Sequence, residues 1–403
     1  MPAGTDRNPR HGICRLSAAM KGPRKLSECH NIMDLRALAG RRLPSPIFHY
    51  LDGAADDEVT ARDNTAAFER EKLIPRYLID VAKVSTVTRI LGQEIAWPVF
   101  CSPTGSSRFY HPAGELAVAR AAAKAGTFYT LSTMSSHSLE DVAAASSGPK
   151  MFQLYVFKDR GVTREMIDRC KQAGFQALCL TIDVPVRGKR ERELRSGMGV
   201  PMKLSAGSLA SFALRPRWVA GWLNKGPLSL PNFAGRAGSN RLVAQTRFVA
   251  EQLDPSVAWD DVGEMIERWR GPFAIKGILS APDAKRAQTV GATAVIVSNH
   301  GGRQLDGVPA TIEALPDIVD AVADKLEVIL DGGVRRGTHV LKALALGAKA
   351  CTVGRPYLYG LAAGGEDGVA KALNILRTEL VRAMQLTGCT SIQAIDRALV
   401  RRF

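Results

Sequence analysis

From residue 95 onward the chain repeats one unit about every 25–30 residues, a short β-branched apolar run followed by a helix-compatible stretch. The runs are WPVFCSP (Trp97 to Pro103), TFYTLS (Thr127 to Ser132), MFQLYV (Met151 to Val156), ALCLTID (Ala177 to Asp183), FAIKG (Phe273 to Gly277), AVIVSN (Ala294 to Asn299), EVILDGG (Glu327 to Gly333) and ACTVGRP (Ala350 to Pro356). Each is mostly apolar and does not alternate, as expected of parallel strands buried on both faces. Between them lie alanine- and leucine-rich segments such as Gly114 to Gly126 and Gly337 to Gly347, which read as helices closed by a C′ glycine. Eight β-then-α units predict an α/β fold, a closed (β/α)8 TIM barrel in preference to an open doubly wound sheet. No G-x-G-x-x-G follows the first run, which counts against a dinucleotide fold. The fourth and fifth runs are about 90 residues apart where the others are about 30, so an insertion is expected after the fourth strand, over 194–250. Residues 30–90 read as helices and loops covering the barrel, giving one domain over 30–403. Residues 1–29 read as a flexible basic tail.

Charge refines this picture. The net charge of +15 suggests nucleic acid until it is located. Residues 194–250 hold eight Lys/Arg and no Asp or Glu, residues 1–42 hold nine Lys/Arg against three acids, and the remaining chain is nearly neutral. With the excess outside the barrel and no recognisable reading module, no nucleic-acid partner is expected. No apolar stretch approaches the roughly 18 residues of a membrane span, and no secretory signal is expected at the N-terminus. The seven scattered cysteines, with no C-x-x-C pair, read as reduced thiols of a cytosolic protein and offer no metal site.

Chemistry in such a barrel collects at the C-terminal strand ends. Read in order, those ends carry Thr104, Ser132, Gln153 with Tyr155, Thr181 with Asp183, Lys276, Ser298 with His300, Asp331 and Arg355. They predict one ring of polar groups. A GG pair alone is usually a tight turn, but DGGVRRG (Asp331 to Gly337) followed at the next strand end by VGRP (Val353 to Pro356) favours a phosphate held by backbone N–H groups and Arg335 or Arg355. Lys276 ends an apolar strand and needs an anionic partner or a shifted pKa. It can form a Schiff base, as in aldolases, or face an electron-rich cofactor ring. His300, three residues before Arg303, suits a proton acceptor beside an anion-binding guanidinium, with Asp183 available to orient the imidazole.

These residues resemble the FMN-dependent L-2-hydroxy acid oxidases and dehydrogenases, a family that includes glycolate oxidase, L-lactate dehydrogenase and mandelate dehydrogenase. The runs carrying the resemblance are FHYLDGAADDE (Phe48 to Glu58), SPTG (Ser102 to Gly105), FQLYVFKDR (Phe152 to Arg160), LTIDVPVRGKRERE (Leu180 to Glu193), IKG (Ile275 to Gly277), SNHGGRQLDG (Ser298 to Gly307), LDGGVRRGTHVLKALALGA (Leu330 to Ala348) and GRP (Gly354 to Pro356). The resemblance implies that Tyr50 and Tyr155 hydrogen-bond the substrate and that Arg190 and Arg303 bind its carboxylate. It makes His300 the base and Asp183 the support of the imidazolium. Lys276 then lies near the flavin N1 and C2 oxygen, where it stabilises negative charge. Thr104, Ser132, Gln153, Thr181 and Ser298 bond the isoalloxazine or ribityl, Asp331 holds ribityl hydroxyls, and Gly333, Arg335, Gly354 and Arg355 hold the phosphate.

Two departures bear on the electron acceptor. Gly105 stands where family oxidases have alanine, and the mandelate dehydrogenase branch also has glycine there. Residues 1–29 are too short for the haem domain of flavocytochrome-type members, so electrons are expected to pass to an external acceptor. The acid-free insertion mixes cations with Trp218, Trp222, Phe212, Leu209, Leu214 and Leu223, a composition suited to an anionic bilayer interface. Membrane-associated bacterial members bear an insertion here and reduce quinone; the competing reading is an active-site lid or an oligomer contact. The expectation is therefore an FMN enzyme oxidising an L-2-hydroxy acid, L-lactate first, and passing electrons to quinone at the cytoplasmic face of the plasma membrane. The alternatives are a soluble oxidase producing hydrogen peroxide and a mandelate dehydrogenase. The resemblance also implies a homo-oligomer, commonly a tetramer.

Overall fold

Strand runs of Val, Ile, Leu and Cys with no polar face must lie between two apolar layers. The computed structural model describes residues 22–199, 204–239 and 241–402, and it places them so. Eight strands, β1 (Val99–Cys101), β2 (Tyr129–Ser132), β3 (Lys150–Leu154), β4 (Ala177–Thr181), β5 (Phe273–Ile278), β6 (Ala294–Val297), β7 (Glu327–Asp331) and β8 (Ala350–Val353), pair in parallel and close into a barrel in chain order. The seam is β8 beside β1, with Cys351, Thr352 and Val353 opposite Val99, Phe100 and Cys101. Helices fill the intervals, among them Gly114–Lys124, Arg160–Gln172, Thr311–Val322 and Gly337–Ala345. The expected C′ glycines are present: Gly126 and Gly347 both take positive φ, +67° and +104°.

Two apolar clusters follow from the two-residue period of the strands. Phe100, Met151, Cys179, Ala274, Ile296 and Ile329 fill the barrel interior. Their neighbours Val99, Phe152, Leu178, Ile275, Val295 and Leu330 face the helices. The segment expected to hold only helices and loops also contains an antiparallel hairpin, Thr88–Ile90 with Gln93–Ile95. Its Ile90, Leu91 and Ile95 join the interior cluster, and Leu91 N donates to Glu327 Oε2 at 2.7 Å, so the hairpin plugs the bottom of the barrel. The mouth at the other end is left for chemistry.

The folded body begins before residue 30. A single turn, Leu26–Glu28, packs against the C-terminal helical region, with Leu26 filling the space beside Gly364, and Cys29 is fully buried. The remainder of the expected basic tail, Cys14 included, lies outside the described residues; the other six cysteines are buried and unpaired. The short helix Glu191–Arg195 leads into the insertion, which holds Ala206–Ala213 and Pro216–Asn224 and most of Leu242–Gln252. Among the described residues no helix is long and apolar enough to cross a membrane.

Candidate active site

The polar ring follows from the same strand period. Continuing each inward-facing position by two residues leads from Phe100 to Ser102 and Thr104, from Met151 to Gln153 and Tyr155, from Cys179 to Thr181 and Asp183, and from Ala274 to Lys276. It leads likewise from Ile296 to Ser298 and His300, from Ile329 to Asp331, and from Ala350 to Thr352 and Gly354. These ends surround a cavity of about 950 Å³. All the catalytic, substrate and cofactor residues expected from the sequence line it except Gln153, Thr181, Asp183 and Ser298.

At the floor, Asp331 gathers four donors. Ser102 Oγ (2.6 Å) and Thr352 Oγ1 (2.7 Å) reach Oδ1, while Ser298 Oγ (2.7 Å) and Lys276 Nζ (3.0 Å) reach Oδ2. Lys276 also donates to Ser298 Oγ at 2.8 Å. Burial pushes the Lys276 ammonium toward neutrality, but Asp331 and Asp183 more than offset it and hold the amine charged well above its ordinary value. An amine locked in that state is a poor nucleophile, which disfavours the Schiff-base alternative. Asp331 is held below the carboxylate range against the effect of its own burial, by Lys276 and the three hydroxyls. Ser102 and Thr352 were not among the residues expected from sequence, although the two-residue period from Phe100 and Ala350 reaches both.

Along the wall, His300 Nδ1 lies 2.9 Å from Asp183 Oδ1, which leaves Nε2 as the free ring nitrogen. Burial lowers the His300 pKa despite the upward pull of Asp183, so the resting imidazole is neutral. Its backbone is strained. His300, Gly301 and Gly302 take φ of +57°, +63° and +75° in succession. Ser298 Oγ accepts from His300 N at 3.1 Å, Arg355 Nη1 donates to Gly301 O at 2.9 Å, and Asn299 and Asn64 exchange a reciprocal pair of 2.8 Å side-chain bonds below. A Cβ on Gly302 would stand 2.6 Å from Ala61 N, which explains the second glycine of SNHGG. A register shift at Lys276/Ile278 marks a bulge in β5, and a Cβ on the intervening Gly277 would meet Asp183 Cβ at 2.8 Å. The glycine of IKG is thus what lets Asp183 reach the histidine.

Above these sit three guanidiniums around one buried carboxylate. Glu193, 1% exposed, bonds Arg303 Nη2 at 2.9 Å and Arg187 Nη2 at 3.1 Å, with Arg190 Nη1 at 3.7 Å. The surplus positive charge faces the cavity. Burial and the neighbouring Arg303 bring Arg190 down to about 10, the mark of a guanidinium short of counter-charge. The Arg303 guanidinium lies 5.5 Å over the Tyr50 ring. Glu193 was missed from sequence because nothing in RERE says which acid turns inward. Tyr155 stays protonated, its pKa raised by burial and then by Asp183.

At the far end, Arg335 and Arg355 line the cavity with no carboxylate in an ion pair among the described residues; Arg335 donates to Val334 O and Arg355 to Gly301 O and Gly53 O. Burial brings Arg355 down to about 10. The DGG turn has a packing origin as well. A Cβ on Gly333 would overlap Asn64 O at 1.9 Å, whereas a Cβ on Gly354 would meet nothing nearer than 3.8 Å, so Gly354 is the glycine open to the site.

Comparison with known proteins gives the family. The model of the FMN-dependent dehydrogenase family matches residues 39–402. The chain belongs to that family. It is 44% identical over 370 residues to an L-lactate oxidase of Nostoc sp., covering 91% of this chain and 96% of that protein. It is 42% identical over 374 residues to glycolate oxidase 3 of Arabidopsis thaliana, covering 93% and 96%. Among solved structures, (S)-mandelate dehydrogenase, described as a monotopic membrane protein, superimposes with a TM-score of 0.90 at 37% identity, covering 93% of this chain and all of that one. A mandelate oxidase bound to (S)-4-hydroxymandelic acid gives 0.81 at 39% identity, covering 93% and 98%. FMN is the cofactor of the family, and the residues present fit it. Gln153 Nε2 and Thr181 Oγ1 are buried at the floor with no partner, as a polar ring edge would require. Two guanidiniums without carboxylates and the open Gly354 suit a phosphate.

Proposed function

We propose that this protein oxidises an L-2-hydroxy acid, L-lactate in the first place, to the 2-oxo acid. The carrying observation is the meeting, at one cavity, of an imidazole backed by Asp183 and two mostly buried guanidiniums, Arg190 and Arg303, only partly balanced by Glu193. Two planar cations fix a small carboxylate in one orientation. Tyr50 and Tyr155 line the same cavity. His300 takes one proton at Nε2, from the substrate hydroxyl or its α-carbon, and Asp183 stabilises the imidazolium that results. Bound FMN would supply the acceptor for the electron pair and the second hydrogen, and the Lys276 ammonium provides fixed positive charge at the floor. Thr104, Ser132, Gln153, Thr181 and Ser298 are assigned to the ring and ribityl. Asp331 is assigned to the ribityl hydroxyls, and Gly333, Arg335, Gly354 and Arg355 to the phosphate.

Anaerobic addition of L-lactate, glycolate or L-mandelate to the yellow holoenzyme tests this. Bleaching of the visible band by L-lactate is expected; no bleaching by any of the three overturns the reading. A second substrate class, aryl hydroxy acids, is supported by the superposition on (S)-mandelate dehydrogenase; Gly105 itself has a packing reason, since a Cβ there would stand 2.9 Å from Met134 Cβ.

The same proposal sends the electrons to quinone at the cytoplasmic face of a membrane. Its support is the hairpin of Ala206–Ala213 and Pro216–Asn224, which exposes Leu209, Leu214, Trp222 and Leu223 beside Arg215, Arg217 and Lys225 in a segment free of acids. Stopped-flow reoxidation by air or by a quinone separates the acceptors, and fast reaction with oxygen would assign the protein to the oxidases.

A further inference from the structure

The run FHYLDGAADDE has so far contributed Tyr50 and the Gly53 carbonyl. Asp52 ends the helix Ser45–Asp52 and is 9% exposed. Its carboxylate accepts four hydrogen bonds, from Arg36 Nε (2.6 Å) and Tyr359 OH (2.7 Å) on Oδ1 and from Arg36 Nη2 (2.7 Å) and Arg192 Nη1 (2.9 Å) on Oδ2. The donors come from three separate elements: Ile32–Arg42, Glu191–Arg195 and the start of Arg355–Leu386. Burial opposes ionisation, yet Arg36, Tyr359 and Arg192 hold the group well below the usual carboxylate range. Charge-assisted bonds of this kind fix geometry as well as charge.

What they fix is the next carbonyl. Gly53 O accepts from Arg303 Nη1 at 2.7 Å and from Arg355 Nη2 at 2.8 Å, and Tyr50 O accepts a second bond from Arg303 at 3.0 Å. A Cβ at Gly53 would stand 2.6 Å from His49 O, so the chain leaves the helix along a path that suits glycine. One backbone oxygen therefore stands between the guanidinium assigned to the substrate and one assigned to the phosphate.

We propose that Asp52 is a positioning residue for both ends of the site: by clamping the helix end it aims the Gly53 carbonyl, and through it orients Arg303 toward the substrate carboxylate and Arg355 toward the FMN phosphate. The inference rests on the roles given above to those two arginines. Asp52→Asn keeps the shape and removes the charge; Tyr359→Phe removes one donor and leaves the ion pairs. FMN Kd is read from fluorescence released on diluting the holoenzyme. KM and kcat are read at saturating FMN with L-lactate and L-mandelate and a dye acceptor, and Tm is followed alongside. Asp52→Asn is expected to raise both FMN Kd and KM about tenfold, with KM rising more than kcat falls. Tyr359→Phe is expected to move both in the same direction by about threefold. Variants that lower Tm while leaving both constants in place, or that move only one of them, overturn the proposal. Arg303→Lys separates the levels: if it leaves KM unchanged the underlying substrate reading fails, and if it raises KM while Asp52→Asn does not, the role of Asp52 alone falls.

Discussion

At the scale of single residues, the site is a set of charges kept in the states their neighbours demand. His300 is the clearest case. Its burial keeps it neutral at rest, and only its Nδ1 is committed, to Asp183. A base must be unprotonated to act, and a lowered pKa moves the loss of activity to more acidic solution. The acid limb of kcat/KM should therefore lie below the value of about 6.5 for free histidine, and a pH–rate profile checks this. His300→Gln should keep the flavin colour and lose turnover by about 10²–10⁴-fold, measured with L-lactate and a dye acceptor. Retained turnover would remove His300 as the base. Lys276→Met should slow anaerobic bleaching by on the order of 100-fold, because it deletes the charge at the floor and leaves Asp331 with hydroxyl donors alone. An unchanged bleaching rate would count against the electrostatic role.

At the scale of elements, glycines that look alike in the sequence do different work. Gly333 holds φ +74° and its missing Cβ coincides with Asn64 O, so Gly333→Ala forces the turn off the helix Val59–Ala66. A loss of more than about 3 kcal/mol, or failure to fold, is expected from such overlap. Gly354→Ala meets nothing within 3.8 Å. It should fold with a near-parental Tm yet raise FMN Kd roughly tenfold, because the new methyl stands where phosphate is expected. The insertion hairpin is joined to the barrel at defined points: Trp218 Nε1 donates to Phe109 O at 2.8 Å, and Arg108 Nη2 donates to Lys225 O at 2.6 Å. Its outer leucines have no such ties. Replacing Leu209, Leu214 and Leu223 with serine should cut binding to anionic vesicles by on the order of 100-fold while leaving oxidation with a soluble dye intact. A flotation assay reads the first effect; unchanged flotation would reject the bilayer reading.

At the scale of the whole molecule, buried carboxylates knit the barrel to its covering helices. Asp52, Asp183 and Asp331 are each held below the usual carboxylate range, after their burial has been offset by cationic and hydrogen-bonding partners. A carboxylate whose pKa is depressed on folding contributes its full stabilisation above its unfolded value, and that contribution is lost as pH falls through the folded value. Tm should therefore begin to fall below about pH 6.5, where the unfolded chain protonates His300 and His339 while burial keeps both pKa values low in the folded state, and drop more steeply below about pH 4 as the carboxylate contribution is lost, as read by thermal melts across buffers. A chain whose Tm is flat down to pH 3 would show that these groups are not tied as described.

The barrel and most of its mouth were legible in the sequence because parallel strands buried on both faces must be apolar, so the polar residues ending them stand out. Lys276, Ser298 and Asp331 are read this way, and the interval before Phe273 marks the insertion. Other features depend on contacts between residues distant in the chain. Nothing near Glu193 says that it turns inward among three arginines, nothing near Asp52 predicts its bonds to Arg36 and Tyr359, and the hairpin at Thr88–Ile90 becomes a plug only once the barrel has an open end to fill. Local pattern determines which face of a strand or helix is apolar. Which acid meets which base is decided only when those faces pack and water is excluded between them.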